Sequence, residues 1–165
     1  MEAAPLRAGM DAESTHRVFD WLWTSGQLSA DDIARLPALG VRNVINLALP
    51  SSTYALKGEA ELVTGLGLNY IHLPVTWEAP EPAQLRRFFL LLQSLAEEPT
   101  WVHCARNMRV SAFVYLYRRL CLAESQDAAS YPLREVWQPN ATWAAFISEA
   151  LRVPPRIDAK ATGAN

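Results

Sequence analysis

Trp101-Val102-His103-Cys104-Ala105-Arg106-Asn107-Met108-Arg109-Val110-Ser111 is the stretch whose reading decides the fold. Trp101 and Val102 follow Pro99 and read as the end of a short buried strand. Residues 104–108 form a compact turn. From Arg109 onward, Phe113, Val114, Leu116, Tyr117 and Leu120 predict a long apolar helix. A strand, a tight turn and a helix N-terminus together make an anion cradle. The turn's backbone N–H groups converge there, and the helix end adds partial positive charge. A cysteine at the start of such a cradle is held as a nucleophilic thiolate. An arginine at its far end presents two parallel hydrogen bonds to a phosphate. Cys104 and Arg109 hold those two positions.

Working outward, residues 18–24 are rich in aromatic and β-branched side chains and predict a first strand or strand pair. Ser25-Gly26-Gln27 is a turn. Ser29-Ala30-Asp31-Asp32 is a capping box for a helix with Ile33, Leu36 and Leu39 on its apolar face, stopped by Gly40. Residues 41–48 suit a buried parallel strand. Ala60, Leu62, Val63 and Leu66 mark a helix ended by Gly67, and residues 68–75 the next strand. Residues 74–82 are an irregular proline-rich loop. Leu85, Phe88, Phe89, Leu92 and Leu95 give a strong amphipathic helix. After the cradle helix, residues 128–137 predict a short helix. Asn140 caps a last helix with Trp143, Phe146, Ile147, Ala150 and Leu151 on one face.

Strands alternate with helices through residue 120, and only helices follow. This predicts a three-layer α/β domain: a mainly parallel central sheet of about four to five strands with helices on both faces. The domain is expected over residues 16–152, between flexible segments at 1–15 and 153–165. Ligands of such sheets bind at the carboxyl ends of the strands, where Cys104 sits.

The chain has 165 residues, 50% hydrophobic and 19% charged, which suits one domain with a single core. A net charge of −2 advertises no nucleic-acid surface. No stretch approaches a membrane span. Two cysteines make no disulfide framework, so a reducing cytoplasm is the expected compartment. Cys104 and Cys121 lie roughly 17–20 Å apart if one helix separates them, beyond disulfide reach. His16 and His72 have no partner spacing for a metal, and neither metal nor cofactor is expected.

The strand–His-Cys–loop–Arg–helix pattern resembles the cysteine-based protein-tyrosine and dual-specificity phosphatases. It is most similar to small bacterial proteins of dual-specificity-like type. The resemblance also covers Ser25-Gly26-Gln27-Leu28-Ser29, Val44-Ile45-Asn46-Leu47, Leu73-Pro74-Val75 and residues 82–95. The family places five residues between Cys and Arg, a glycine midway and a hydroxyl residue after the Arg. Here only Ala105, Arg106, Asn107 and Met108 intervene, Asn107 stands for the glycine, and Ser111 keeps its distance from the cysteine. Asparagine is the next best residue for a left-handed conformation. Two loop models follow. In the preferred one, the loop is a residue short and Arg109 turns inward onto phosphate. In the other, Val110 takes the arginine's place, Arg109 points elsewhere, and Arg106 supplies some charge.

The resemblance implies two-step phosphoryl transfer on a phosphorylated protein or small molecule. Cys104 is the nucleophile, Arg109 and residues 105–108 hold the phosphate, and His103 bonds the loop backbone. Ser111 supports the departing thiolate. The family's general acid is an aspartate about three residues after the equivalent of Pro74. Trp77 occupies the literal position, so Glu78 is the nearest candidate acid and Glu81 the next. Two other classes remain open: a phosphate-binding module without turnover, and a rhodanese-like sulfurtransferase.

Overall fold

A computed structural model describes residues 9–157 of the chain. The strands are β1 (His16–Phe19), β2 (Leu22–Ser25), β3 (Asn43–Asn46), β4 (Asn69–His72) and β5 (Thr100–His103). They form one sheet in the order β1-β2-β5-β3-β4. β1 and β2 are an antiparallel pair, and every other neighbour is parallel. The helices are α1 (Ala30–Arg35), α2 (Glu59–Gly65), α3 (Pro82–Leu95), α4 (Met108–Leu120), α5 (Gln126–Ala129), α6 (Leu133–Val136) and α7 (Ala141–Arg152). The chain thus folds around the mainly parallel α/β sheet that its pattern predicts. None of the helices among the described residues is long and apolar enough to cross a membrane.

Local chemistry sets the element ends. Ser29 Oγ accepts from the Asp32 amide while the Asp32 carboxylate accepts from the Ser29 amide, both at 3.0 Å. This is the reciprocal cap read in the sequence. The helix expected to run to Leu39 is instead α-helical only to Arg35, and Pro37–Leu39 continue as a 3-10 turn. Pro37 has no amide to donate back along an α-helix. Gly40 follows at φ 84°. The single helix expected over residues 128–137 is likewise two short ones, α5 and α6, with Pro132 between them. Asn140 Oδ1 accepts from the Trp143 amide at 2.9 Å and caps α7.

Strand alternation splits the core into two layers. Leu22, Ile45 and Val102 face a cluster built from α3, α4 and α7, including Phe88, Phe113 and Trp143. Their neighbours Trp23, Val44 and Trp101 face a second cluster with Ile33 and Leu36 from the α1 side and Val63 from α2. The Trp23 and Trp101 rings stack at 5.8 Å across paired strands. β5 is the central strand. Its last residue, His103, is in register with Ser25 of β2 and Asn46 of β3. The chain leaves the sheet at Cys104 with structure on both sides.

The first and last described residues are anchored by specific contacts. Residues 10–15 were expected to belong to a flexible segment. Instead, the Asp11 and Ala12 amides donate to the Asp32 carboxylate at 2.6 and 3.0 Å, and Thr15 is buried. At the other end Arg86 Nε donates to the Arg156 carbonyl at 2.7 Å, and Ile157 packs on the core. Residues 1–8 and 158–165 of the expected flexible segments lie outside the described residues. Both cysteines are free thiols, and burial pushes the Cys121 thiol up to about 11.

Asp32 is fully buried and joins the N-terminal segment, the α1 cap and Arg35. Asp32→Ala leaves those amides without their acceptor. It is expected to destabilise the domain by about 1–3 kcal/mol, read as a lower urea midpoint at unchanged slope.

Candidate active site

The loop from Cys104 to Asn107 is built from behind. Gly26 and Arg106 form an antiparallel bridge, and the Gln27 amide donates to the Ala105 carbonyl at 3.0 Å. That contact requires Gly26: a Cβ there would stand 2.8 Å from the Ala105 oxygen. Asn107 adopts the left-handed conformation (φ 67°) and caps α4. This is the conformation for which asparagine best replaces the expected glycine. Its carboxamide turns away from the loop's mouth. Nδ2 donates to the Ser14 carbonyl at 2.8 Å and to Thr24 Oγ1 at 3.1 Å. Asn107 therefore locks the loop to β2 and the N-terminal segment, and its side chain is not among the groups lining the cavity above the cysteine.

That cavity, of about 330 Å³, is lined by Trp77, Cys104, Ala105, Arg106, Met108 and Arg109. Arg109 is 7% exposed and lies on the first turn of α4. Its Nη1 donates to the Val75 carbonyl at 3.0 Å, the one hydrogen bond its guanidinium makes among the described residues. Its Cζ stands 5.8 Å from the centroid of the Trp77 ring. In this structure Arg109, not Val110, shares the cavity with Cys104; Val110 is buried in the core. Arg106 reaches the rim, where its Nε pairs with Glu13 Oε2 at 3.0 Å in an exposed contact. The Glu13 carboxylate raises the Arg106 pKa, which keeps its charge in place.

His103 is fully buried beneath the loop. Its Nδ1 lies 3.1 Å from the Cys104 carbonyl, and its Nε2 lies 2.5 Å from Glu59 Oε2. Both ring nitrogens therefore face oxygen atoms, one of the loop and one of α2. Glu59 opens α2 and also accepts from Gln27 Nε2 at 2.8 Å. Burial pushes the Glu59 carboxyl up, but the His103 contact and the Gln27 bond outweigh it, leaving the group below its ordinary value. Glu59 was not singled out in the sequence. It lies 44 residues from His103, and the only local signal is a carboxylate at the first turn of a helix.

The remaining expected residues are placed differently. Ser111 is buried in α4, and its hydroxyl donates to the Met108 carbonyl at 3.0 Å. Glu78 is exposed and absent from the cavity lining. Glu81 is the cap position of α3, its amide bound by Gln84 Oε1 at 2.8 Å. Trp77, at the family's acid position, is a wall of the cavity. Its ring packs on Trp137 and Trp143 at 5.4 and 5.9 Å, and its carbonyl accepts from Trp143 Nε1 at 2.9 Å. Among the described residues no cluster of three or more potential ligands could hold a metal ion.

Because Glu59 titrates below its ordinary value of 4.5, it adds stability that is complete above that value. This stability is lost as the pH falls through the folded value. Glu59→Gln is expected to flatten that acid-side loss, read as urea midpoints at about pH 7 and about pH 4. Equal acid sensitivity in the two proteins would contradict the pairing.

A family model described as "DSP-PTPase phosphatase fused to NAD+ Kinase" matches residues 6–143. No curated protein matches the chain. Among solved structures, a DUF442 protein of Shewanella putrefaciens CN-32 is 28% identical. It covers 86% of this chain and 94% of its own, with a TM-score of 0.75. The core catalytic domain of the Saccharomyces cerevisiae PP-IP phosphatase SIW14 is 16% identical, covering 92% and 94%, with a TM-score of 0.72. PTPMT1, solved in complex with PI(5)P, is 18% identical, covering 89% and 98%, with a TM-score of 0.70. The last two share the fold. With the family model spanning most of the sequence, the chain belongs to the DSP-PTPase phosphatase family, within the cysteine-based dual-specificity phosphatase superfamily.

Proposed function

We propose that the chain is a cysteine-dependent phosphomonoester hydrolase that works through a phosphocysteine on Cys104. One observation carries this reading: Cys104 and the guanidinium of Arg109 line a single cavity at the carboxyl end of the central strand. In the first step the Cys104 sulfur attacks phosphorus and the P–O bond to the leaving group breaks. Arg109, the loop amides and the N-terminus of α4 hold the equatorial oxygens while charge redistributes. His103, braced by Glu59, holds the Cys104 carbonyl and so fixes the loop's first turn. Water then cleaves the S–P bond, releasing phosphate and the thiolate. Ser111 acts as part of the α4 N-terminus, in keeping with its bond to Met108. The substrate is a phosphorylated protein or small molecule. Two free thiols accord with a reducing cytoplasm.

A phosphate-binding module without turnover is the second reading. It draws on the position of Glu78, outside the cavity. The two separate cleanly. Cys104→Ser is expected to abolish hydrolysis of 4-nitrophenyl phosphate while vanadate or phosphate binding survives. Arg109→Lys is expected to lower kcat/KM by about 10²–10³-fold, the scale of losing a preorganised oxyanion donor. Activity in Cys104→Ser equal to that of the natural chain would exclude the mechanism. Vanadate binding with no Cys104-dependent turnover would favour the binding module. Thiosulfate-dependent thiocyanate formation would point to sulfur transfer instead.

A further inference from the structure

The cavity offers its leaving group no proton. None of its six lining residues among those described is a carboxylate, histidine, tyrosine or lysine. The segments on both sides of Glu78 are anchored. On one side, the Val75 amide donates to the Leu47 carbonyl at 2.9 Å, and the Val75 carbonyl accepts from Arg109 at 3.0 Å. Trp77 is wedged between Arg109 and the Trp137–Trp143 pair, with its carbonyl tied to Trp143. On the other side, α3 begins at Pro82, with Gln84 bonded to the Glu81 amide and Gln84 Nε2 3.5 Å from Thr76 Oγ1. Glu78 itself is exposed and does not line the cavity. The Glu13 carboxylate, outside the lining, is engaged by Arg106.

We infer that the site acts on phosphates carried by an acidic leaving group, with acidic aryl phosphates as the class that the cavity fits. The inference rests on the phosphocysteine mechanism proposed above. In the first step the S–P bond forms as the P–O bond breaks, and both electrons of that bond leave on the departing oxygen. With no acid in reach, the oxygen departs as an anion and takes its proton from bulk water. The rate then follows the stability of that anion, so an acidic phenol leaves readily and an alkyl alcohol does not. Trp77, Ala105 and Met108 give the cavity a wall suited to a planar ring. The same missing group would serve as base for the attacking water. Hydrolysis of the phosphocysteine is therefore also unassisted and limits kcat for the most acidic substrates.

The test is a series of phosphate monoesters of rising leaving-group pKa: 4-nitrophenyl, phenyl and glycerol phosphate, with acetyl phosphate as a non-aryl acid control. The full chain is used. kcat/KM is expected to fall about tenfold per unit of leaving-group pKa, with a burst of nitrophenol from 4-nitrophenyl phosphate. Acetyl phosphate is expected to turn over with a higher KM than the aryl ester, lacking the ring. Glu78→Gln is expected to leave the slope unchanged. A flat dependence of kcat/KM would overturn the inference, as would a loss of about 10²-fold on the poor leaving groups in Glu78→Gln. Either result, with Cys104-dependent turnover intact, leaves the phosphatase reading standing. Absence of Cys104-dependent turnover on 4-nitrophenyl phosphate would instead remove the phosphatase reading itself.

Discussion

The hydrogen bond from Arg109 Nη1 to the Val75 carbonyl joins the first turn of α4 to the proline-rich loop beside the cavity. In this chain the arginine is the second residue of α4, with four residues between it and the cysteine. Its direction is then set by the first turn of α4. A guanidinium that is 7% exposed and makes one neutral hydrogen bond is poorly compensated. Its other donors make no hydrogen bond among the described residues, and a guanidinium offers a phosphate several hydrogen bonds at once. The same contact holds residues 75–77 against α4, so the feature that aims the cation also fixes the loop that carries an acid in the resembling enzymes.

Much of this was legible locally. The Ser29–Asp32 cap and the Asn140 cap are short-range chemistry, fixed by residues three apart, and they appear as read. The strand pattern was legible because buried parallel strands read as unbroken apolar runs. Asn107 in the left-handed region could be anticipated because few side chains tolerate it. The direction of Arg109 is one of two alternatives in the sequence, and it depends on a tertiary contact, the bond to the Val75 carbonyl. No spacing rule says whether a residue at the second position of a helix meets a carbonyl from another loop.

What the sequence hid is the long-range polar wiring. Glu59 reaches His103 across 44 residues, and Asp32 receives amides about 20 positions upstream. Each residue, read alone, is an ordinary charged residue in the first turn of a helix, where acidic groups are common. Their burial follows from the packing of α1 and α2 on the sheet. In the low-dielectric interior such a carboxylate must find donors. Asp32 finds them in the N-terminal segment, which explains why residues 10–15 are held in place despite a polar, small-residue composition. Asn107 donates in turn, from Nδ2 to the Ser14 carbonyl and to Thr24 Oγ1. The N-terminal segment therefore braces the same loop that the cysteine opens.

Trp143 shows how the carboxyl-terminal helices enter the chemistry without touching it. It is fully buried, capped into α7 by Asn140, and contacts Phe113 of α4, Phe146, Trp137 and Trp77. Large aromatic side chains bury much area and fix relative geometry through their ring contacts. The indole also donates to the Trp77 carbonyl, so the cavity wall is attached to the core on its polar as well as its apolar side. An acid loop that must deliver a proton needs freedom to approach the leaving group, whereas a wall that must shape a pocket needs the opposite. With an indole at the acid position and a second indole bonded to its backbone, this chain has the wall. The geometry fixes an indole wall beside the arginine. A cavity of that kind selects substrates by the stability of the anion they release.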